Sequence, residues 1–322
     1  MARIAFFGTP VFALPALKQL HKFCLEHGHE LSMVVTQPDR QQGRGQKLSP
    51  PSVKILATKL HLPVFQPAFL KKSSLEGEQF FQHFLAAHID LAVVVAYGKI
   101  IPQRFLSSSH LGFINIHGSL LPKFRGAAPI QRSLECGDHK TGVCLMDMVL
   151  KMDEGDIIDV AQTPIIASDT SETLFRRLSH LGAHLLYRRI DDILSQKIHK
   201  TPQNDDEATY AAMIKKEEGL LDFSQSGRNL VLKSRAFDPW PGSYAFLDKK
   251  RIKFFEAFFI ETTVHHELSP GTIIVTSPFL GVKTVDGILY FQRIQLEGKS
   301  ILPANKALQN LNIQLCRTKI DF

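Results

Sequence analysis

Five short apolar runs, separated by helical patterns, leave the first half of this chain few ways to fold. RIAFFG (3–8), LSMVVT (31–36), PVF (63–65), DLAVVVAYG (90–98) and GFINI (112–116) are rich in β-formers and lack the polar alternation of a half-exposed strand. Helical patterns lie between them: Phe12, Leu17, Leu20 and Cys24; VKILATKL (53–60); FQHFLAAH (81–88). Strands that are apolar on both sides need cover on both faces. The expected fold is therefore α/β, a Rossmann-like, doubly wound, mostly parallel sheet. TGVCLMDMV (141–149) and IIDVAQTPI (157–165) flank KMDEGD and are expected as two further strands, with Gly155 taking a positive φ in the turn. Leu174, Leu178, Leu181, Leu185, Ile190 and Ile193 predict a core-facing helix over 171–194, with Asp169 and Glu172 as a capping box.

The pattern changes after KTPQNDDEATYA (200–211), which is polar and has no period. Beyond it come YAFL, RIKFFEAFFI, GTIIVT, GVKTV and GILYFQRIQL, separated by turns at short intervals, which predict a small barrel or sandwich. The expected organisation is an α/β domain over 1–199, a linker over 200–212 and a smaller β-domain over 213–322.

Composition excludes several classes. No apolar run approaches the roughly 20 residues of a membrane helix, and Gly-Thr-Pro cuts the N-terminal run too short for a signal-peptide core. The cysteines at 24, 136, 144 and 316 form no C-x-x-C pair, so neither zinc nor a disulfide framework is expected; free thiols in a reducing cytoplasm are the simplest account. A formal charge of +7 favours a polyanionic partner. The first turn, FFGTPVFALPAL, lacks G-x-G-x-x-G, and the chain carries no G-x-x-x-x-G-K-[ST] loop, so neither a dinucleotide nor ATP is expected.

What remains is INIHGSLLPKFRGAAPIQ (114–131). Asn115 and His117 stand two apart at the end of a strand, so both project to one face, and open parallel sheets bind ligands at their carboxyl ends. An amide can donate to a developing oxyanion, and an imidazole can donate or relay a proton. Asp153 is the best third group to fix the ring, with Glu154 and Asp156 as alternatives; on spacing alone the triplet could equally be structural and Asp153 could simply close a turn. The run from Gly118 to Pro122 suits a flat, partly apolar ligand, and Tyr97-Gly98 ends the preceding strand facing the same crevice.

INIHGSLLPKFRGAAPIQRSL resembles the folate-dependent formyltransferase family, as do FFGTPVFA, TQPDRQQGRGQKLSPPSVK, VVVAYGKIIP, TGVCLMDM, MDEGD and RAFDPWPGSYA, in the same order from residue 3 to about 300. H-G-S-L-L-P marks the wider family, while the GRG loop and R-A-F-x-P-W-P point to its tRNA-formylating branch. The resemblance implies catalytic roles for Asn115, His117 and Asp153, and folate contacts at Ser119, Leu120, Leu121 and Pro122, with Tyr97 and Gly98 beside them. It implies a tRNA-entering loop over 39–47 bearing Arg40, Gly43, Arg44, Gly45 and Lys47, with Arg44 its key residue, and an OB-like barrel over 213–322. It also implies 10-formyltetrahydrofolate as donor, initiator methionyl-tRNA as acceptor for translation initiation, no metal, no membrane and a monomer. Lys54 and Lys123 are further candidates for phosphate contact, and Lys249, Lys250, Arg251 and Lys253 form either an RNA-tracking patch or a solvated face. Departures are Val11 in place of an acidic residue, Gln41, Gln42 and Gln46 in the loop, Lys151 and Glu154 around Asp153, and a poor match past about 303. Two rivals stand: a relative that formylates a sugar nucleotide or a purine precursor, and an RNA-binding protein with a degenerate enzyme domain.

Overall fold

The computed structural model describes residues 1–42 and 47–309. The chain forms two compact units: Met1–Pro129 with Lys140–Pro164 and Phe175–Ala211, and Ile130–His139 with Ile165–Leu174 and all that follows Ala211. Up to that point the elements are β1 (Arg3–Gly8), α1 (Leu14–His27), β2 (Glu30–Val35), a hairpin of β3 (Arg40–Gln42) and β4 (Lys47–Ser49), α2 (Ser52–Lys59), β5 (Val64–Phe65), α3 (Leu75–Ala86), β6 (Leu91–Val95), α4 (Gln103–Leu106), β7 (Phe113–His117), β8 (Arg125–Gly126), α5 (Pro129–Glu135), β9 (Lys140–Asp147), β10 (Ile157–Pro164), α6 (Ser171–Leu194) and β11 (Tyr210–Ala211).

Seven strands form the sheet of the first unit in the order β10-β9-β7-β6-β1-β2-β5. β5, β2, β1, β6 and β7 run parallel; β9 is antiparallel to β7, and β10 to β9. From β1 the chain winds outward through β2 and β5, then returns to the other side of β1 for β6 and β7, which creates a crevice at the carboxyl ends of β1 and β6. The unbroken apolar runs have the burial they require: Ile4 to Phe7 of β1 are fully inaccessible, and all five residues of β6 are buried. On one face Phe7 meets the rings of Phe84, Tyr97 and Phe113 at centroid distances of 6.1, 5.4 and 5.6 Å. Each such ring contributes about 1.5–3 kcal/mol by burial. On the other face α6 presses onto β7. Gly182 permits this, since a Cβ there would lie 2.6 Å from the Ile116 side chain. Pleating then turns Asn115 and His117, with Phe113, to the face away from α6.

The second unit carries α7 (Gly227–Ala236), β12 (Ser243–Leu247), β13 (Lys250–Glu261), β14 (Ile273–Thr276), β15 (Phe279–Lys283), β16 (Gly287–Leu296), β17 (Leu302–Pro303) and α8 (Ala304–Leu308). Its sheet runs β12-β13-β16-β15-β14, antiparallel throughout, with β17 added to β16. It curls as a half-barrel around Leu221, Phe223, Leu230, Phe254, Phe291 and Ile294, with Phe254 stacked on Phe291 at 4.3 Å. Asp286 fixes the start of α7. Its carboxylate accepts from the Gly227 N–H (3.0 Å), the Ser226 hydroxyl (2.6 Å) and the Thr284 hydroxyl (3.0 Å). Burial opposes ionisation there, but these donors outweigh it and hold the carboxyl below its usual range. The start of α6 departs from the Asp169–Glu172 expectation. Thr170 and Thr173 exchange hydroxyl and backbone N–H bonds (3.0 and 3.5 Å), while the Asp169 carboxylate accepts from Ile166 N–H and the Thr173 hydroxyl.

Residues 200–211, expected as a linker, carry structure of their own. Thr201 exchanges backbone bonds with Ile157 (2.8 and 2.9 Å), Lys200 pairs with Asp147 at 2.7 Å, and β11 adds in parallel to β8. Among the described residues no helix is long and apolar enough to cross a membrane.

Candidate active site

Asn115 and His117 close β7, paired across the sheet with Met146 and Cys144 of β9. His117 is buried. Its Nε2 lies 2.9 Å from the Phe124 carbonyl, so Nε2 carries the hydrogen and donates it, because a carbonyl only accepts. Its Nδ1 faces Asp153 Oδ2 at 3.5 Å, with the two side chains only 6% and 16% exposed. That separation exceeds a good hydrogen bond; a proton on Nδ1 converts it into a shielded ion pair. The same Asp153 oxygen accepts the Gly126 N–H at 2.8 Å. Asn115 is half-buried, and among the described residues its carboxamide makes no hydrogen bond. An unengaged amide, an imidazole and a carboxylate thus share one strand end.

The turn that delivers Asp153 differs in detail from the sequence expectation. Asp153 itself has the positive φ (57°), and Gly155 does not. Gly155 is needed for a close approach instead: a Cβ there would fall 2.0 Å from the Asp147 carbonyl oxygen. Glu154, one alternative acid, leans toward Arg125 (3.7 Å) and Lys151 (3.1 Å) rather than toward His117.

The neighbouring loop contributes less side chain than expected. The Ser119 hydroxyl donates to the Lys123 carbonyl (2.6 Å) and is fully buried. Leu121 packs on Cys144 and Met146, while Leu120 and Pro122 remain half-exposed. Tyr97 is 2% exposed and its ring belongs to the aromatic core, so it does not line the crevice. Its carbonyl accepts from the Thr9 hydroxyl (2.8 Å) and the Gln37 amide (2.9 Å), and the Gly98 carbonyl also accepts from Gln37 (3.1 Å). Cys144 stands in register with His117, but burial pushes its thiol up to about 12, so it is no nucleophile at neutral pH. Among the described residues no cluster of three His, Cys, Asp or Glu could hold a metal ion.

Comparison with known proteins meets this geometry. The formyl transferase model matches residues 2–190, and the model of the formyl transferase C-terminal domain matches 213–312. A methionyl-tRNA formyltransferase of Sulfurihydrogenibium sp. (strain YO3AOP1) is 37% identical over 314 residues, 97% of this chain and 98% of its own. One from Listeria welshimeri is 41% identical over 289 residues, 90% of this chain and 89% of its own. The chain belongs to the formyl transferase family. The solved structure of WlaRD, a sugar 3N-formyl transferase in the presence of dTDP and 5-N-formyl-THF, shares the fold with a TM-score of 0.66 at 16% identity, covering 93% of this chain and 99% of that one.

In this formyltransferase the expected tRNA loop is bracketed by the β3–β4 hairpin. Gly43, Arg44 and Gly45, and the side chain of Lys47, lie outside the described residues. The base of the hairpin is firmly tied. Asp39 accepts from Gln66 (2.7 Å) and from Lys54 at both oxygens (2.9 Å), which holds its carboxyl below the usual range. Lys54 is therefore already paired with a carboxylate. Arg40, the first residue of β3, is exposed, and its guanidinium donates to the Gln37 side chain. Lys123 is exposed. A cavity of about 810 Å³ in the second unit, lined in part by Arg228, Arg235, Phe255 and Glu256, includes none of the candidate site residues.

Sequence reasoning missed the groups that hold the site loops. Thr209 accepts the Phe124 N–H at its hydroxyl (2.9 Å) and the Arg125 N–H at its carbonyl (2.8 Å). Arg125, which a small and apolar run from Gly126 to Ile130 follows, is 1% exposed, and the acid-rich QNDD segment supplies its partners. A charge in such a setting needs distant counter-groups, and that was the available signal.

Proposed function

We propose that this enzyme moves the formyl group of 10-formyltetrahydrofolate to the α-amine of methionine esterified to initiator tRNA. The observation that carries the reading is the unengaged carboxamide of Asn115 beside the His117–Asp153 pair, on one face at the carboxyl end of β7. The lone pair of the neutral amine attacks the formyl carbon, and the carbonyl π electrons move to oxygen. Asn115 donates to that oxyanion. The Nε2 hydrogen of His117 also turns to it, because an anionic acceptor outcompetes the neutral Phe124 carbonyl; charge-assisted bonds are about twice as strong as neutral ones. Asp153 supports the ring when it carries a second proton. The amine gives up a proton, through His117 or a water, to the folate nitrogen as the carbon–nitrogen bond to the carrier breaks. The products are the N-formyl ester and the free folate amine, with no covalent enzyme intermediate.

The 37–41% identity to methionyl-tRNA formyltransferases over most of the chain supports the tRNA acceptor. The reading implies the cytoplasm, where initiator tRNA is charged, and asks for no second subunit. It is tested by single-turnover transfer of labelled formyl from 10-formyltetrahydrofolate to charged initiator tRNA, with elongator methionyl-tRNA and an amino-sugar nucleotide as competing acceptors. Initiator tRNA is expected to react fastest. Comparable rates with the amino sugar would hand the assignment to the small-amine relatives. Arg44→Leu is expected to lower kcat/KM for charged tRNA while donor affinity stays; loss of both together would assign that loop to the folate pocket.

A further inference from the structure

Arg125 is almost wholly inaccessible, yet it must stay charged. Its Nε and Nη2 both donate to the Gln203 side-chain oxygen (3.1 and 3.0 Å), and Nη2 also donates to Asp205 at 2.7 Å. The other end of the Gln203 amide donates to two backbone carbonyls, those of Asp153 (2.8 Å) and Gly155 (2.7 Å). One carboxamide therefore uses both of its hydrogens on the catalytic turn and its oxygen on a buried cation. The turn needs such external bonds, because Asp153 sits at φ 57°, a region that non-glycine residues seldom occupy. From the same segment, β11 pairs with β8, which includes Gly126, the backbone donor to the Asp153 carboxylate. Residues 203–211 thus grip Asp153 from its backbone and from its side chain.

We propose that Gln203 is a positioning residue for the Asp153–His117 pair, with Arg125 as its anchor. The inference rests on the reading of Asp153 as the partner of His117. At 3.5 Å that contact is already at the outer limit of a hydrogen bond, and misplacement by about 1 Å can cost on the order of 100-fold in rate. A simple brace for the fold would give the same hydrogen bonds but a different response to mutation.

The test is a double-mutant cycle on the full-length enzyme, using single-turnover formylation, KM for donor and for charged tRNA, and thermal midpoints. Gln203→Glu keeps the acceptor for Arg125 and removes both donors to the turn. It is expected to lower kcat by about 10- to 100-fold, with each KM within about threefold and the midpoint within a few degrees of the parent. Asp153→Asn is expected to lose at least about 100-fold. In that background Gln203→Glu should cost less than about threefold, since its effect runs through Asp153. A loss that multiplies fully with Asp153→Asn, a loss in KM alone, or an undiminished kcat overturns the role of Gln203 while leaving the reading of Asp153 intact. Near-native turnover by Asp153→Asn removes that reading and this inference with it. If Gln203→Glu fails to fold, the amide serves the fold and the inference is wrong.

Discussion

Asp153 in the first unit and Asp286 in the second have similar settings. Each is half-buried, each sits between two antiparallel neighbouring strands, and each accepts from a glycine N–H, Gly126 at 2.8 Å and Gly227 at 3.0 Å. They differ in what else they touch. Asp286 takes two further hydroxyl donors and is saturated. Asp153 has one firm donor and then an imidazole at 3.5 Å, a partner whose hold depends on a proton. A carboxylate filled with neutral donors is a fastener. One left with capacity beside an imidazole is what the proposed reaction calls for, and the unengaged amide of Asn115, two residues from His117 on the same face of β7, has the same character.

The strongest attempt to break this contrast is to replace each acid by its amide. Asp153→Asn should reduce single-turnover formylation by at least about 100-fold while moving the thermal midpoint by no more than about 2 °C. Asn115→Ala should lose about 10²–10³ in the same assay through the missing oxyanion donor, again with little change in melting. Asp286→Asn should do the reverse, leaving the rate at 25 °C alone and lowering stability by about 1 kcal/mol, the size of a lost helix cap, as read by calorimetry. An equal effect of the two Asp exchanges on rate would dissolve the distinction.

Acid sharpens it further. The carboxyl of Asp286 is held below its usual range in the folded chain. Its contribution to stability is therefore complete above the unfolded value of about 3.9 and is lost as pH falls through the lower folded value. Melting curves of the parent and of Asp286→Asn should begin to converge as the pH drops below about 4 and meet only below the lower folded value; a gap that stays constant to pH 2 would show that the charge is irrelevant to the cap. The smallest effect is expected where the second sheet carries a pair on its surface. Arg228 and Glu261 lie 2.7 Å apart but are 73% and 65% exposed, so Arg228→Ala should change stability by less than about 0.5 kcal/mol and leave turnover alone.

The difference between fastened and available groups also explains what could be read from the chain alone. Local patterns carried the first sheet, because runs such as LAVVV must be covered on both faces wherever they fall. They also brought Asn115 and His117 to one face, since pleating needs only a spacing of two. The missed features depend on long-range contact. Gln203 lies 78 residues beyond Arg125 and 50 beyond Asp153, and its segment is polar and aperiodic, so nothing nearby reveals its partners. Lys54 looked like a free cation until Asp39 came within 2.9 Å across the base of a hairpin. Tyr97 could have faced either way at its strand end, and the ring of Phe7 settles it inward. The turn pattern suggests a positive φ at Gly155, whereas crowding by the Asp147 carbonyl is what requires a glycine there.

The pairing of β11 with β8 has a consequence for synthesis of the protein. Every strand of the seven-stranded sheet has been translated by Pro164, before α6, which covers one face of it, is made. The wall that grips Asp153 cannot close until Gln203, Tyr210 and Ala211 have emerged. Nascent chains ending before that point lack both the amide and the strand that hold Asp153, so on the proposed reading the reaction centre is among the last parts of the first unit to form.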